Sequence, residues 1–268
     1  MHGIIHGLYA PNAPNLIAPH VFGGAGEQTV RHLRALDIQG RIHPDAILAA
    51  SPHWVSRGGF LVHAGAKPRC LHDFSGFPRE LYAVRYEPPG EPELAHLLVD
   101  AGTRRGLDVK ATTEWGLDHG AWATLLHVAP DASVPVVPLS IAALSPEEHL
   151  AWGEAIGAAL ADFDRRIAFV STGSITHRLD RFNPAGGATV WLEGERIERE
   201  IIDLVLARKY EELADFDRDK WAEVAPEGDL GPLFIMLGAL GPTFTPRLVA
   251  YEQAFGSVGM TILEFAPG

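Results

Sequence analysis

Short continuous apolar runs take turns with stretches in which apolar residues recur every three or four positions, the pattern of alternating strands and helices. Ile4 to Ala10 reads as a buried strand. It breaks at Ala10-Pro11-Asn12-Ala13-Pro14-Asn15, where two prolines force a loop. Past Gly23-Gly24-Ala25-Gly26, the residues Val30, Leu33 and Leu36 stand at helical spacing over Glu27 to Leu36. Asp45 to Ser51 predicts a strand buried on both faces, with Pro52-His53-Trp54 capping its C-terminal end. The stretch from His72 to Tyr82 reads as an aromatic loop running into a short helix.

Glu91 to Ala101 and Pro146 to Phe163 predict amphipathic helices. The second starts with Ser145 as N-cap, Pro146 at the first helical position and Glu148 completing a capping box. Val134 to Ser140 is strand-like, and its two prolines suggest an edge or a short strand. Arg166 to Ser171 predicts a strand that ends in the small-residue turn Thr172-Gly173-Ser174. Trp191 to Lys209 predicts a long helix with Ile197, Ile201, Leu204 and Val205 on one face. Leu230 to Leu240 predicts an apolar helix, and Gly259 to Phe265 the closing strand. No repeat or linker interrupts this order. The expectation is an α/β fold: a single domain over residues 1–268, with a central mixed, largely parallel sheet flanked by helices.

Composition narrows the function classes. A hydrophobic content of 47% over 268 residues is enough for a sizeable core. A formal net charge of -12, without a Lys/Arg cluster, argues against nucleic-acid binding. Cys70 is the single cysteine, so an intrachain disulfide is excluded. Met1-His2-Gly3-Ile4-Ile5 lacks a secretory pattern, and no run is long enough to span a membrane, so a cytoplasmic protein is expected.

Candidate chemistry centres on Gly116-Leu117-Asp118-His119-Gly120-Ala121-Trp122. Asp118 reads as an N-cap and His119 as the first helical residue, where an imidazole either hydrogen-bonds an anionic ligand or simply starts the helix. Three further polar motifs stand at strand ends or helix starts: Ser51-Pro52-His53-Trp54, Thr172-Gly173-Ser174-Ile175-Thr176-His177 and Glu227-Gly228-Asp229-Leu230. Ligand sites of open α/β sheets gather at the C-terminal ends of strands. His53 is therefore either a site residue or a satisfied core histidine. The aromatic residues after Asp73 either line a cleft or pack a loop. The spacing of Gly23, Gly24 and Gly26 fits neither phosphate-binding fingerprint.

In order and spacing, these motifs resemble the class III extradiol ring-cleavage dioxygenases of the protocatechuate 4,5-dioxygenase β-subunit type, and especially their 4,5-DOPA dioxygenase-like branch. Ser51 to Trp54, Asp73 to Tyr82 and Gly116 to Trp122 carry that likeness. The resemblance implies O2-dependent cleavage of a catecholic or aminophenolic ring at a mononuclear non-haem Fe(II), with zinc or another divalent metal as alternatives, in a homo-oligomer. It implies His53 and Asp229 as metal ligands and His177 as acid–base group. His119 would hydrogen-bond a substrate or oxygen atom, with Trp54, Phe74 and Phe77 against the ring.

The family's first metal histidine aligns with Asn12, a neutral and weaker ligand. Either His6 or His20 compensates, or the site is altered, or the chain is a variant member. An acid–base enzyme of the same fold with weak metal or none, acting on a phenolic or diketone substrate, and a non-catalytic binding relative stay open as alternatives.

Overall fold

The computed structural model of the protein describes residues 2–183 and 190–268; Met1, the first residue of the stretch read for a leader, lies outside it. Its strands are β1 (Gly3–Ala10), β2 (Ala46–Ser56), β3 (Phe60–His63), β4 (Val109–Thr112), β5 (Val136–Ala142), β6 (Arg166–Thr172), β7 (Phe244–Ala250), β8 (Gln253–Ala254), β9 (Val258–Gly259) and β10 (Ile262–Pro267). Its helices are α1 (Glu27–Leu36), α2 (Arg79–Ala83), α3 (Pro92–Arg104), α4 (His119–Val128), α5 (Pro146–Leu160), α6 (Leu192–Leu206), α7 (Tyr210–Ala214), α8 (Arg218–Val224) and α9 (Gly231–Leu240).

Eight strands form one sheet in the order β4-β3-β5-β2-β6-β1-β10-β7. The middle four, β5, β2, β6 and β1, run parallel. The sheet turns mixed at both sides, because β3 runs against β5, β10 against β1 and β7 against β10. The central strands are mostly apolar because helices cover both of their faces. On one face Trp152, Ile156, Ile197 and Phe234, from α5, α6 and α9, pack with Leu48, Val137 and Phe169. On the other, Val30 and Leu33 of α1 and Trp122 and Leu125 of α4 pack with Leu8, Ile47 and Val170. The molecule is thus one α/β domain with a large, mostly parallel sheet between helical layers. No helix among the described residues is long and apolar enough to cross a membrane.

Two local expectations change. The prolines at 135 and 138 do not put β5 at an edge: it lies inside the sheet, fully buried. The N–H of Val136 donates to Pro89 O, away from β2, and strand alternation points the missing N–H of Pro138 the same way. On that side β3 contributes only the pair Val62–Leu139, so no ladder bond is lost. The second change is in β2, which continues beyond Ser51 to Ser56. Its register with β5 jumps between Ala50 and Val55, so Pro52-His53-Trp54 sits in an irregular stretch inside the strand and does not cap it. Such bulges re-aim side chains.

Candidate active site

The C-terminal ends of β1, β2 and β6 open on one cavity of about 280 Å³. Beyond β1 the loop is pinned where Thr124 Oγ1 donates to Pro11 O at 2.7 Å, and Asn12 follows, buried. From β2 comes His53. Gly173 N donates to Ala10 O at 3.1 Å, tying the end of β6 to β1, and beyond it Ser174 and His177 reach the cavity wall. The start of α4 supplies His119, with Asp118 capping that helix as the sequence pattern predicts: its Oδ1 accepts from Ala121 N and from Ser51 Oγ at 2.6 Å. At Gly120 a Cβ would stand 2.3 Å from Ser51 Oγ and 3.1 Å from His53 Cγ, so only glycine lets α4 come this close to β2.

The floor is a continuous polar chain. His53 Nδ1 meets Asp73 Oδ2 at 2.7 Å, and His119 Nδ1 meets Asp73 Oδ1 at 2.8 Å. His53 Nε2 faces Glu227 Oε1 at 2.9 Å, and the Asn12 side-chain nitrogen lies 3.2 Å from Glu227 Oε1 and 3.3 Å from His53 Nε2. Glu227 Oε2 in turn accepts from Ser174 N at 3.1 Å. The two imidazoles stand edge to face, 4.3 Å apart, and Phe74 lies perpendicular to His119 at 4.9 Å.

Burial by itself would lower the pKa of His53, but hydrogen bonds to Asp73 and Glu227 outweigh it and push the imidazole up to about 10. Burial would raise Asp73, yet the hydrogen bonds from His119 and His53 hold its carboxyl well below the usual carboxylate range. Glu227 follows the same balance: burial pushes it up, and the His53 hydrogen bond and nearby His177 bring it below its ordinary value. Both carboxylates are therefore ionised at neutral pH.

The expected site residues divide. Asn12, His53, His119, His177, Phe74 and Phe77 all line the cavity. Asp229 does not: its Oδ1 accepts from Trp221 Nε1 at 3.0 Å, and Glu227 holds the place on the cavity floor. The turn over Glu227–Leu230 decides this. Gly228, Asp229 and Leu230 take left-handed φ values of 57°, 50° and 56°, which swing the two carboxylates apart. Gly228 also leaves no room for a Cβ, which would lie 2.8 Å from Pro52 Cβ. Trp54 likewise leaves the cavity. It is buried elsewhere, its ring stacked on Trp115 with centroids 6.3 Å apart.

Neither candidate replacement for Asn12 reaches the floor: His6 is buried in β1 with Nε2 3.9 Å from Glu264, and the exposed His20 pairs with Glu80 at 2.7 Å. The sequence reading passed over Asp73, although its loop was singled out. The signal available was a lone carboxylate set among aromatic residues next to His72.

Two groups of side chains could hold a cation. His53, Asp73 and His119 bring one ligand-capable atom each within 4.8 Å of one another. Asp73, however, is already bonded to both Nδ1 atoms and to the His119 backbone N–H at 2.8 Å, the arrangement that orients metal-binding histidines from behind. Asn12, His53 Nε2 and Glu227 fit the cation better. An imidazole, a carboxylate and a side-chain amide converge within hydrogen-bond distance of one another, and a turn of the Asn12 amide presents its oxygen to the same point.

Comparison with known proteins gives the family. Residues 27–262 match the family described as catalytic LigB subunit of aromatic ring-opening dioxygenase. The chain is 42% identical to the 4,5-DOPA dioxygenase extradiol of Escherichia coli over 139 residues, which is 51% of this chain and 49% of that one. It is 30% identical to the 4,5-DOPA dioxygenase extradiol of Beta vulgaris over 213 residues, 77% of each chain. The crystal structure of an uncharacterized Escherichia coli K12 protein shares the fold with a TM-score of 0.73 and 22% identity, over 97% of this chain and 99% of that one. With the family match running over residues 27–262 and 30% identity to a relative across 77% of each chain, the chain belongs to the LigB family of aromatic ring-opening dioxygenases.

Proposed function

We propose that the chain acts as one catalytic domain that opens a catecholic or aminophenolic ring with O2 by extradiol cleavage, both oxygen atoms entering the product. One observation carries this reading: His53, His119, Asn12 and Glu227 meet on the floor of a cavity lined by aromatic side chains, with His177 on its wall. Asn12, His53 and Glu227 would hold the divalent metal. Bound Fe(II) would supply the one-electron chemistry that ground-state O2 needs to react with a closed-shell ring.

The remaining work falls to the side chains. Phe74 and Phe77, perpendicular to each other at 5.6 Å, form a corner against which a flat ring can seat. His177 stands outside the Asp73–His53–Glu227 chain and is free to take a proton from a ring hydroxyl and return it to the opened product. His119 commits Nδ1 to Asp73, which leaves Nε2 to hydrogen-bond a substrate oxygen. The apolar wall keeps bulk water from the reacting atoms.

The test is O2 uptake by the full chain loaded anaerobically with Fe(II) and given a catechol. One O2 consumed per ring, with a product absorbing in the near-visible, supports the reading. Metal and catechol both bound without O2 uptake overturns it. Turnover without O2 would instead support the acid–base alternative, which the neutral Asn12 favours.

A further inference from the structure

The walls above the floor bear on what the ring carries. Phe22, Phe77, Phe182 and Phe255 form a connected aromatic collar: Phe22 lies 6.0 Å from Phe77 and 6.3 Å from Phe255, and Phe182 lies 4.7 Å from Phe255. Leu179 and Phe182 line the cavity yet are 60% and 41% exposed, so the mouth itself is apolar. Large side chains of this kind, left to solvent around an opening, mark a surface that an apolar group covers.

No lysine or arginine among the described residues lines the cavity. The segment 184–189, Pro-Ala-Gly-Gly-Ala-Thr, contains no charged residue. Arg79, two residues beyond Phe77, is exposed and does not line the cavity, and the arginines beside Leu179 and Phe182 are engaged elsewhere. Arg178 makes a two-pronged pair with Asp180, at 2.7 Å on each arm, and donates to Glu223 O. Arg181 pairs with Glu223 at 3.2 Å and stacks over Trp191 at 4.3 Å. On the floor the charged groups are already paired, the His53 imidazolium with the carboxylates Asp73 and Glu227. A carboxylate on the ring would leave water for an apolar collar with no cation to receive it, which is costly.

Resting on the reading of this cavity as a catechol site, we propose that its substrate is a catechol with an uncharged, apolar substituent, an alkyl- or arylcatechol, which the collar of Phe22, Phe77, Phe182 and Phe255 selects over carboxylate-bearing catechols. DOPA, the compound in its relatives' names, carries both a carboxylate and an ammonium, and the collar offers neither a partner.

The pair 4-ethylcatechol and 3,4-dihydroxyphenylacetate, whose two-carbon substituents end in a methyl group and a carboxylate, separates the alternatives. Both are titrated into the metal-loaded full chain without O2, by calorimetry, and then assayed with O2. The expected result is binding of 4-ethylcatechol at least about tenfold tighter, with kcat/KM biased the same way. Leu179→Arg, at the exposed rim, should shrink that preference by strengthening binding of the acid alone. Equal or tighter binding of the acid to the unaltered chain overturns the proposal and leaves ring cleavage standing. A preference in binding without O2 consumption overturns ring cleavage and leaves the proposal standing. Binding of neither compound overturns both.

Discussion

Asp73 holds His119 at two points: its Oδ1 accepts the ring Nδ1–H and the backbone N–H of the same residue, each at 2.8 Å. The start of α4 and the orientation of its first side chain thus depend on one carboxylate from a loop 46 residues earlier. The other oxygen of that carboxylate fixes His53, so one side chain sets the angle between the two imidazoles.

Asp73→Asn tests that dependence. An amide can accept from one imidazole only, and its NH2 group opposes the other. Ring cleavage should fall by about 10–100-fold, the usual loss when the group behind a metal-binding histidine is removed. In the metal-free protein the His53 imidazole should titrate well below its value of about 10, because its hydrogen bond to Asp73 is one of the two that raise it. NMR titration of the histidine ring signals checks this. An unshifted His53 would show that Glu227 alone sets its charge.

His177→Ala should lower turnover by roughly 10²–10⁴-fold and leave metal content unchanged, since His177 lines the cavity outside the Asn12–His53–Glu227 cluster. Elemental analysis beside the rate assay separates the two effects. Loss of metal in proportion to activity would make His177 a ligand and remove its acid–base role.

How much of this was legible in the sequence depends on the range of the interaction that decides each feature. The capping box at Ser145 and Glu148, the Asp118 cap and the buried strand over 166–171 are set by near neighbours and appear in the structure as read. The strands β3, β4 and β7 were not foreseen. The first two have four residues each, and β7 carries Pro246 and Arg247 on a half-exposed edge, so none shows a long apolar run. In the site, His119 could be found because its motif starts a helix, and His53 because its motif closes the apolar run over 45–51, although the strand runs on past it. The choice between Glu227 and Asp229 could not be read in this way. It rests on three consecutive left-handed residues, a backbone choice made by packing against Pro52 and Ile141. Asp73 was hidden for a similar reason: its partners are 20 and 46 residues away.

Glu198 predicts a pH dependence of folding that does not involve the cavity floor. It is fully buried in α6, its Oε1 accepts from Thr261 Oγ1 at 2.6 Å, and burial pushes its carboxyl up to about 7. The folded state therefore keeps this proton when the unfolded chain has released it. Between the ordinary value of 4.5 and about 7, the unfolded state binds fewer protons, so this group makes stability fall as pH rises. The loss is about 3 kcal/mol across that window. Glu198→Gln should remove the slope, and urea unfolding of both proteins across this pH range measures it. An identical slope in the variant would mean that Glu198 is ionised in the fold.

Asn12→His tests whether the neutral amide is what weakens the site. Asn12 is 2% exposed, and its nitrogen already touches both His53 Nε2 and Glu227 Oε1. An imidazole on the same loop would complete a set of two histidines and one carboxylate, a better donor set for Fe(II) than one with an amide. The added ring must fit beside Pro14 and Phe22 in the cavity wall. Metal affinity should rise by several kcal/mol, an order-of-magnitude figure from ligand preference. Fe(II) titration with a competing chelator, in one buffer and without O2, reads that change directly, whatever happens to turnover. A gain in affinity together with faster O2-dependent cleavage would identify the present site as a weakened form of that set. A gain in affinity with slower cleavage would mean that the amide serves the reaction, by leaving a metal position to substrate that a third strong ligand occupies. No gain would mean that Asn12 does not touch the metal, and that His53 and Glu227 hold it without help from the loop after β1.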